Sequence, residues 1–243
     1  MSYETLEKAF PYFDGTALCL VADSFKVRGW NPKDNIDAVI VSDSQGNPII
    51  VQNEDIELIN QLKDKGVTFS GGLTDKDFES IRNTYGFRFP KVIERFYRYA
   101  LPVSDNPALF PRWNDFSEEN VNRIKEWINS PQKLITLDVN NGQWLNTWGE
   151  RPQSKADADT LLSKLLSASP KLIPIYGHRF YPLIEGIDDP PIISTVGMDT
   201  VYYGSGLRDY LRREFLSESP FAETINVSVS IPFWSDIIRD NHG

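Results

Sequence analysis

Along the first part of the chain, apolar residues cluster in short runs that read as strands. "TALCLVAD", "DAVIVS" and "PIIVQ" follow a short helical pattern at "YETLEKAF". The linking "DSQGN" supplies Asp, Ser, Gly and Asn, the residues that close a hairpin turn. The period then changes. Ile56, Ile59 and Leu62 fall near helical spacing, Asn53 is the expected cap, Glu54 and Asp55 suit the positive end, and Gly66 suits the stop. "SGG" at 70–72 punctuates the chain, so residues 1–72 are taken as a β-rich extension and residues 73–243 as a second domain.

Helical spacing dominates the start of the second part. "LTDKDFESIRNTYGFRFPKVIERFYRYALP" predicts two helices, the first capped by Thr74 and ending near Gly86, the second opening at Pro90. "FSEENVNRIKEWINS" predicts another, with Ser117 as cap and Val121, Ile124, Trp127 and Ile128 on one side. "SKADADTLLSKLLSASP" is a fourth. Strand-like runs come between and after them: "KLITLDV", "KLIPIYG", "PIISTVG" and "DTVYYG". "SGLRDYLRREFL" closes the pattern with Leu207, Tyr210, Leu211 and Phe215 on one stripe, Arg208, Arg212 and Arg213 toward water, and Ser205 in the capping position. Helices and strands mix without strict alternation, which predicts the α+β class.

Composition narrows the function. Of 243 residues 40% are apolar and 24% charged, the balance of a globular protein, and the formal charge is −9. So acidic a chain opposes direct nucleic-acid binding, which needs Lys and Arg to displace phosphate counterions, and its field favours encounter with a cationic protein. The single cysteine, Cys19, cannot form an intrachain disulfide and is expected to be buried. The first residues lack the pattern of a signal peptide, and no apolar stretch is long enough for a membrane helix, so a cytoplasmic location is expected.

Residue chemistry offers no reaction centre. Cys19, His178 and His242 are too few and too scattered for structural zinc, and neither a phosphate-binding nor a dinucleotide glycine motif is present. No metal and no organic cofactor is expected. "EGIDDPP" with Glu185, Asp188 and Asp189 reads as a solvated turn. In "LIPIYGHRFYP", the apolar run predicts a core strand ending at Gly177. "HRFYP" would then turn the chain, with His178 held by packing and Arg179 and Tyr181 nearer the surface.

From Leu73 to about Phe215 the order of segments resembles the SMI1/KNR4 family, also called the SUKH superfamily, in a bacterial subgroup. The resemblance is carried by the "LTDKDF…LPVS" helix pair, "FPRWNDF", "LDVNNGQWLNTWGERP", "LIPIYGHRFYP" and "PIISTVGMDTVYYGSGLRDYLRREF". It implies a curved antiparallel sheet flanked by helices, no enzymatic activity, and binding to proteins; the superfamily includes immunity proteins that neutralise toxins, often nucleases. Residues 1–72 have no counterpart in the minimal domain. The subgroup pattern marks Trp113, Asp138, Trp144, Trp148, His178, Arg179, Tyr181, Asp199, Tyr202 and Tyr203 as candidates for partner binding or for keeping the fold, together with Gly177, Pro182 and Gly204.

Three functions follow as expectations. The first is a non-catalytic protein-binding module, an immunity protein against a basic toxin of nuclease type. The second is a small-ligand protein or enzyme with a pocket around His178, Asp138 and Trp144. The third is a structural domain of a larger assembly.

Overall fold

The computed structural model describes residues 38–43, 45–217 and 225–242. The helix at "YETLEKAF", the strand at "TALCLVAD" and the burial of Cys19 lie outside them. Antiparallel sheets and seven α-helices among the described residues make the class α+β, as the mixed periodicity predicts. The chain divides into two compact units that meet at Val103 and Ser104.

In the first unit, β1 (Ala38–Ser42) and β2 (Pro48–Gln52) form the expected hairpin. Asp43 organises its turn: its Oδ1 accepts the N–H groups of Gln45 and Asn47 at 2.9 and 2.8 Å. Helix α1 (Asn53–Asp64) follows without a linker, burying Leu58, Ile59 and Leu62. Its cap is Gln52 rather than Asn53, and no side chain does the capping, because the strand runs straight into the first helical turn.

Helix α2 (Asp75–Tyr85) has the reciprocal cap that "LTDKD" encodes: Thr74 accepts from Asp77 N while the Asp77 carboxylate accepts from Thr74 N. Gly86 ends it in the left-handed region, as expected. After α3 (Lys91–Tyr99) the chain enters β4 (Ala100–Val103), which pairs with β3 (Thr68–Gly71). Between them the backbone is crowded. Leu73 N donates to Tyr97 O at 2.7 Å, and a Cβ on Gly72 would lie 1.8 Å from Arg98 O. Backbone pairing therefore crosses residues 72 and 73, and the first compact unit continues to Val103, past the punctuation at 70–72.

The second unit opens with α4 (Glu118–Asn140), capped as expected by Ser117. It absorbs "KLITLDV", which is helical rather than a strand. Asn120, Ile124, Pro131, Ile135 and Val139 are its buried residues, a helical stripe that continues the one visible up to Ile128. Pro131 does not break the helix. Its missing N–H leaves the carbonyl of Trp127 without its i+4 donor, and Ser130 Oγ supplies one at 2.8 Å.

Helix α5 (Lys155–Ala168), capped by Ser154, leads to four strands: β5 (Leu172–Tyr176), β6 (Arg179–Pro182), β7 (Ile192–Val196) and β8 (Asp199–Gly204). They pair antiparallel in chain order, a meander. Helix α6 (Leu207–Phe215) begins after Gly206, and Ser205 is not its cap. The distant Asp189 accepts the Leu207 N–H at 2.9 Å, while Ser205 donates its N–H and hydroxyl to Asp209. Arg213 does not face water but is largely buried against Asp209. Helix α7 (Trp234–His242) completes a core that includes Ile135, Val139, Leu162, Phe180, Ile193 and Ile237.

Candidate functional site

Two loops of the same design lie at one end of the four-stranded sheet. β5 and β6 are joined by Gly177-His178, and β7 and β8 by Gly197-Met198. In each the glycine comes first, with φ of 51° and 65°. A left-handed first residue matches the twist of the flanking strands, so a two-residue loop closes without splaying them. Alternate connections of a meander lie at the same end, which brings His178 and Met198 to one side of the molecule.

Helix α4 holds both loops. Trp127 Nε1 donates to Gly177 O at 2.8 Å, and Asp138 Oδ2 accepts the Met198 N–H at 2.7 Å. A rise of about 1.5 Å per residue puts these two anchors roughly 16 Å apart along the helix. From the other side Asn241 Nδ2, on α7, donates to Met198 O and Thr200 O at 2.7 and 3.1 Å, covering backbone acceptors of the edge strand β8.

The core strand ending before Gly177 is as expected, but the side chains after it take the opposite places. His178 is exposed at the loop, and Arg179 and Tyr181 are buried, at 8% and 0% exposure. The reason is the loop itself: it uses only two residues, so "RFYP" is already strand β6 in the middle of the sheet. Arg179 donates from Nε to Glu214 at 3.1 Å and from Nη1 to Ser194 Oγ at 2.9 Å, with its guanidinium 3.8 Å from the centre of the Tyr203 ring. A planar cation stacked and doubly bonded in this way is well satisfied inside. Tyr181 donates its hydroxyl to Asp188 O, and burial pushes its ionisation up. Partial burial and the neighbouring Arg179 hold the His178 imidazole below its usual 6.5, against the opposing carboxylates of Glu214 and Asp199.

The remaining candidates are dispersed and internally engaged. Asp199 is exposed at the start of β8. The Tyr202 hydroxyl lies 2.6 Å from Ser235 Oγ. Trp113 is fully buried. Trp144 is half-buried, donates Nε1 to Gly149 O at 2.8 Å, and meets Trp148 edge-on; Trp148 in turn stacks on Phe233 at 5.3 Å. Asp138, His178 and Trp144 do not converge: Asp138 is bonded at one loop, His178 is exposed at the other, and Trp144 belongs to the aromatic packing after α4. Among the described residues no group of three His, Cys, Asp or Glu side chains is placed to hold a metal ion, and no helix is long and apolar enough to cross a membrane.

Two residues that sequence reasoning passed over stand out at this end. Leu137 is 53% exposed and Val196 49%, and with Phe116 they are the exposed large apolar side chains among the described residues. They flank one contact: Leu137 adjoins Asp138, Val196 adjoins Gly197, and Asp138 is bonded to the loop between. A helical wheel carries a signal for Leu137, since two residues from both Ile135 and Val139 is the opposite face of α4. Comparison with protein-family models, with curated proteins and with solved structures found no match.

Proposed function

We propose that the chain is a non-catalytic protein-binding module whose partner seats on the loop end of the four-stranded sheet. The observation that carries the reading is the exposed pair Leu137 and Val196 on either side of the Asp138 contact, on a scaffold held from both sides by α4 and α7. Exposed apolar side chains on a rigid, polar-rimmed surface are what a partner covers. The buried hydrogen-bonding side chains nearby are engaged internally, so they shape the surface rather than a reaction. The SMI1/KNR4 resemblance points the same way and adds the class of partner, a toxin. The charge of −9 favours a cationic one, and an immunity protein of this kind acts in the cytoplasm.

The test is capture by the full chain as bait in lysate of its host, with mass spectrometry of what is retained. Capture should be lost with Leu137→Asp/Val196→Asp, retained with Phe116→Ser, and weakened by added salt. A partner held equally by all three forms refutes the reading.

A further inference from the structure

Helices α4 and α5 run antiparallel beside each other and are tied at both ends. Lys155 Nζ bonds Asn140 Oδ1 at 2.5 Å and Asp159 Oδ2 at 3.1 Å, while Gln132 Nε2 donates to Leu166 O at 3.2 Å and Ser169 Oγ at 3.3 Å. Between the ties lies a groove of about 450 Å³, within the size range of small-molecule sites. Its lining separates by chemistry. Leu162, Leu172 and Trp234 are buried and form an apolar floor, and Thr136, Ser163 and Ser167 bring hydroxyls from the two helices. The charged side chains in the lining are one acid, Asp159, and one base, Lys171, so its net charge is zero.

The floor also holds an unmet donor. Trp234 is 0% exposed and its indole N–H has no hydrogen-bond acceptor. A buried N–H without an acceptor is uncommon in a folded protein and calls for an occupant that supplies one. The residue before it, Phe233, has φ of 70°, the only left-handed non-glycine residue among those described. That costly backbone holds the tryptophan under the groove, and such conformations concentrate at binding sites.

We infer that the α4/α5 groove binds an uncharged amphipathic small molecule, its apolar part on the floor and an acceptor oxygen turned to the Trp234 indole. The site is separate from the loop end and needs no protein partner.

The test uses the ¹H–¹⁵N indole signals of the full chain, with Trp234 assigned through Trp234→Phe and Trp148 through Trp148→Phe. Octyl glucoside below its micelle concentration is the probe. It should move the Trp234 signal downfield in a saturable way and leave that of Trp148, the other buried indole without an acceptor, in place. Ser163→Trp, at an exposed wall position, should fill the groove and weaken binding at least tenfold with the fold intact. Octanoate, with the same apolar part and a charge, should bind at least tenfold more weakly than the neutral probe. No saturable movement of the Trp234 signal, movement unchanged in Ser163→Trp, or equal binding of octanoate would each overturn the proposal.

Discussion

The Asp138 carboxylate occupies the place where a side chain on Gly197 would begin. A Cβ there would lie 2.0 Å from Asp138 Oδ2, the same oxygen that accepts the Met198 N–H. Helix α4 and the β7–β8 loop are therefore locked by a fit that only glycine allows, and Leu137 and Val196 are presented on either side of it.

Gly177 and Gly197 provide an internal comparison. Both have positive φ, but a Cβ on Gly177 would meet nothing within 4 Å. Gly177→Ala should cost about 1–2 kcal/mol for the backbone alone. Gly197→Ala should cost roughly a further 1 kcal/mol or more, because the Asp138 bond must also give way. In an Asp138→Ala background that excess should vanish, since the two groups are coupled. Urea unfolding of the five proteins decides it, and equal costs at both glycines in the parent chain would show that the lock contributes nothing.

Arg179 should behave as a buried cation. Arg179→Met leaves the largely buried Glu214 without its partner and should cost about 3–5 kcal/mol. Arg179→Met/Glu214→Gln should recover a large part of that. Thermal and urea unfolding measure both, and a loss below 1 kcal/mol for the single change would place the guanidinium in solvent instead.

What could be read in the sequence was local. Thr74 with Asp77, Ser117 and Ser154 cap their helices through bonds three residues long, and Gly86 ends one by its own backbone. The α+β class came from periodicities of the same short range. What escaped was decided at distance. Glu214, which makes burial of Arg179 tolerable, lies 35 residues away, and Asp138 meets its loop across 60. "KLITLDV" has strand-like composition, and only its continuity with the α4 stripe past Pro131 makes it helical. His178 was misplaced because one question, whether the loop has two residues or more, sets the direction of every side chain that follows.

Ser130 should matter more than its position suggests. Ser130→Ala removes the donor that replaces the missing Pro131 N–H and should cost about 0.5–1.5 kcal/mol. Ser130→Ala/Pro131→Ala restores a backbone donor to the Trp127 carbonyl, so the serine change should then cost clearly less. Unfolding in urea measures each pair, and an identical cost in both backgrounds would mean that the hydroxyl has some other role.

His178 is the last test of the loop end, and two measurements bear on it. Because the side chain is exposed, His178→Ala should change stability by less than about 0.5 kcal/mol above pH 7. Its folded ionisation lies below 6.5, through burial and Arg179, with Glu214 and Asp199 opposing. The folded protein therefore holds this proton less tightly than the unfolded chain does. The stability that comes from the neutral imidazole is complete above 6.5 and is lost as pH falls through the folded value. Unfolding of the parent chain should show that decline on the acid side of 6.5, and in His178→Ala the share due to this group should be missing. Histidine ring proton shifts followed against pH, with His178→Ala used to tell the two imidazoles apart, should give His178 a midpoint under 6.5. A midpoint above it would mean that the two carboxylates outweigh the arginine and that the loop end presents a more acidic surface to its partner.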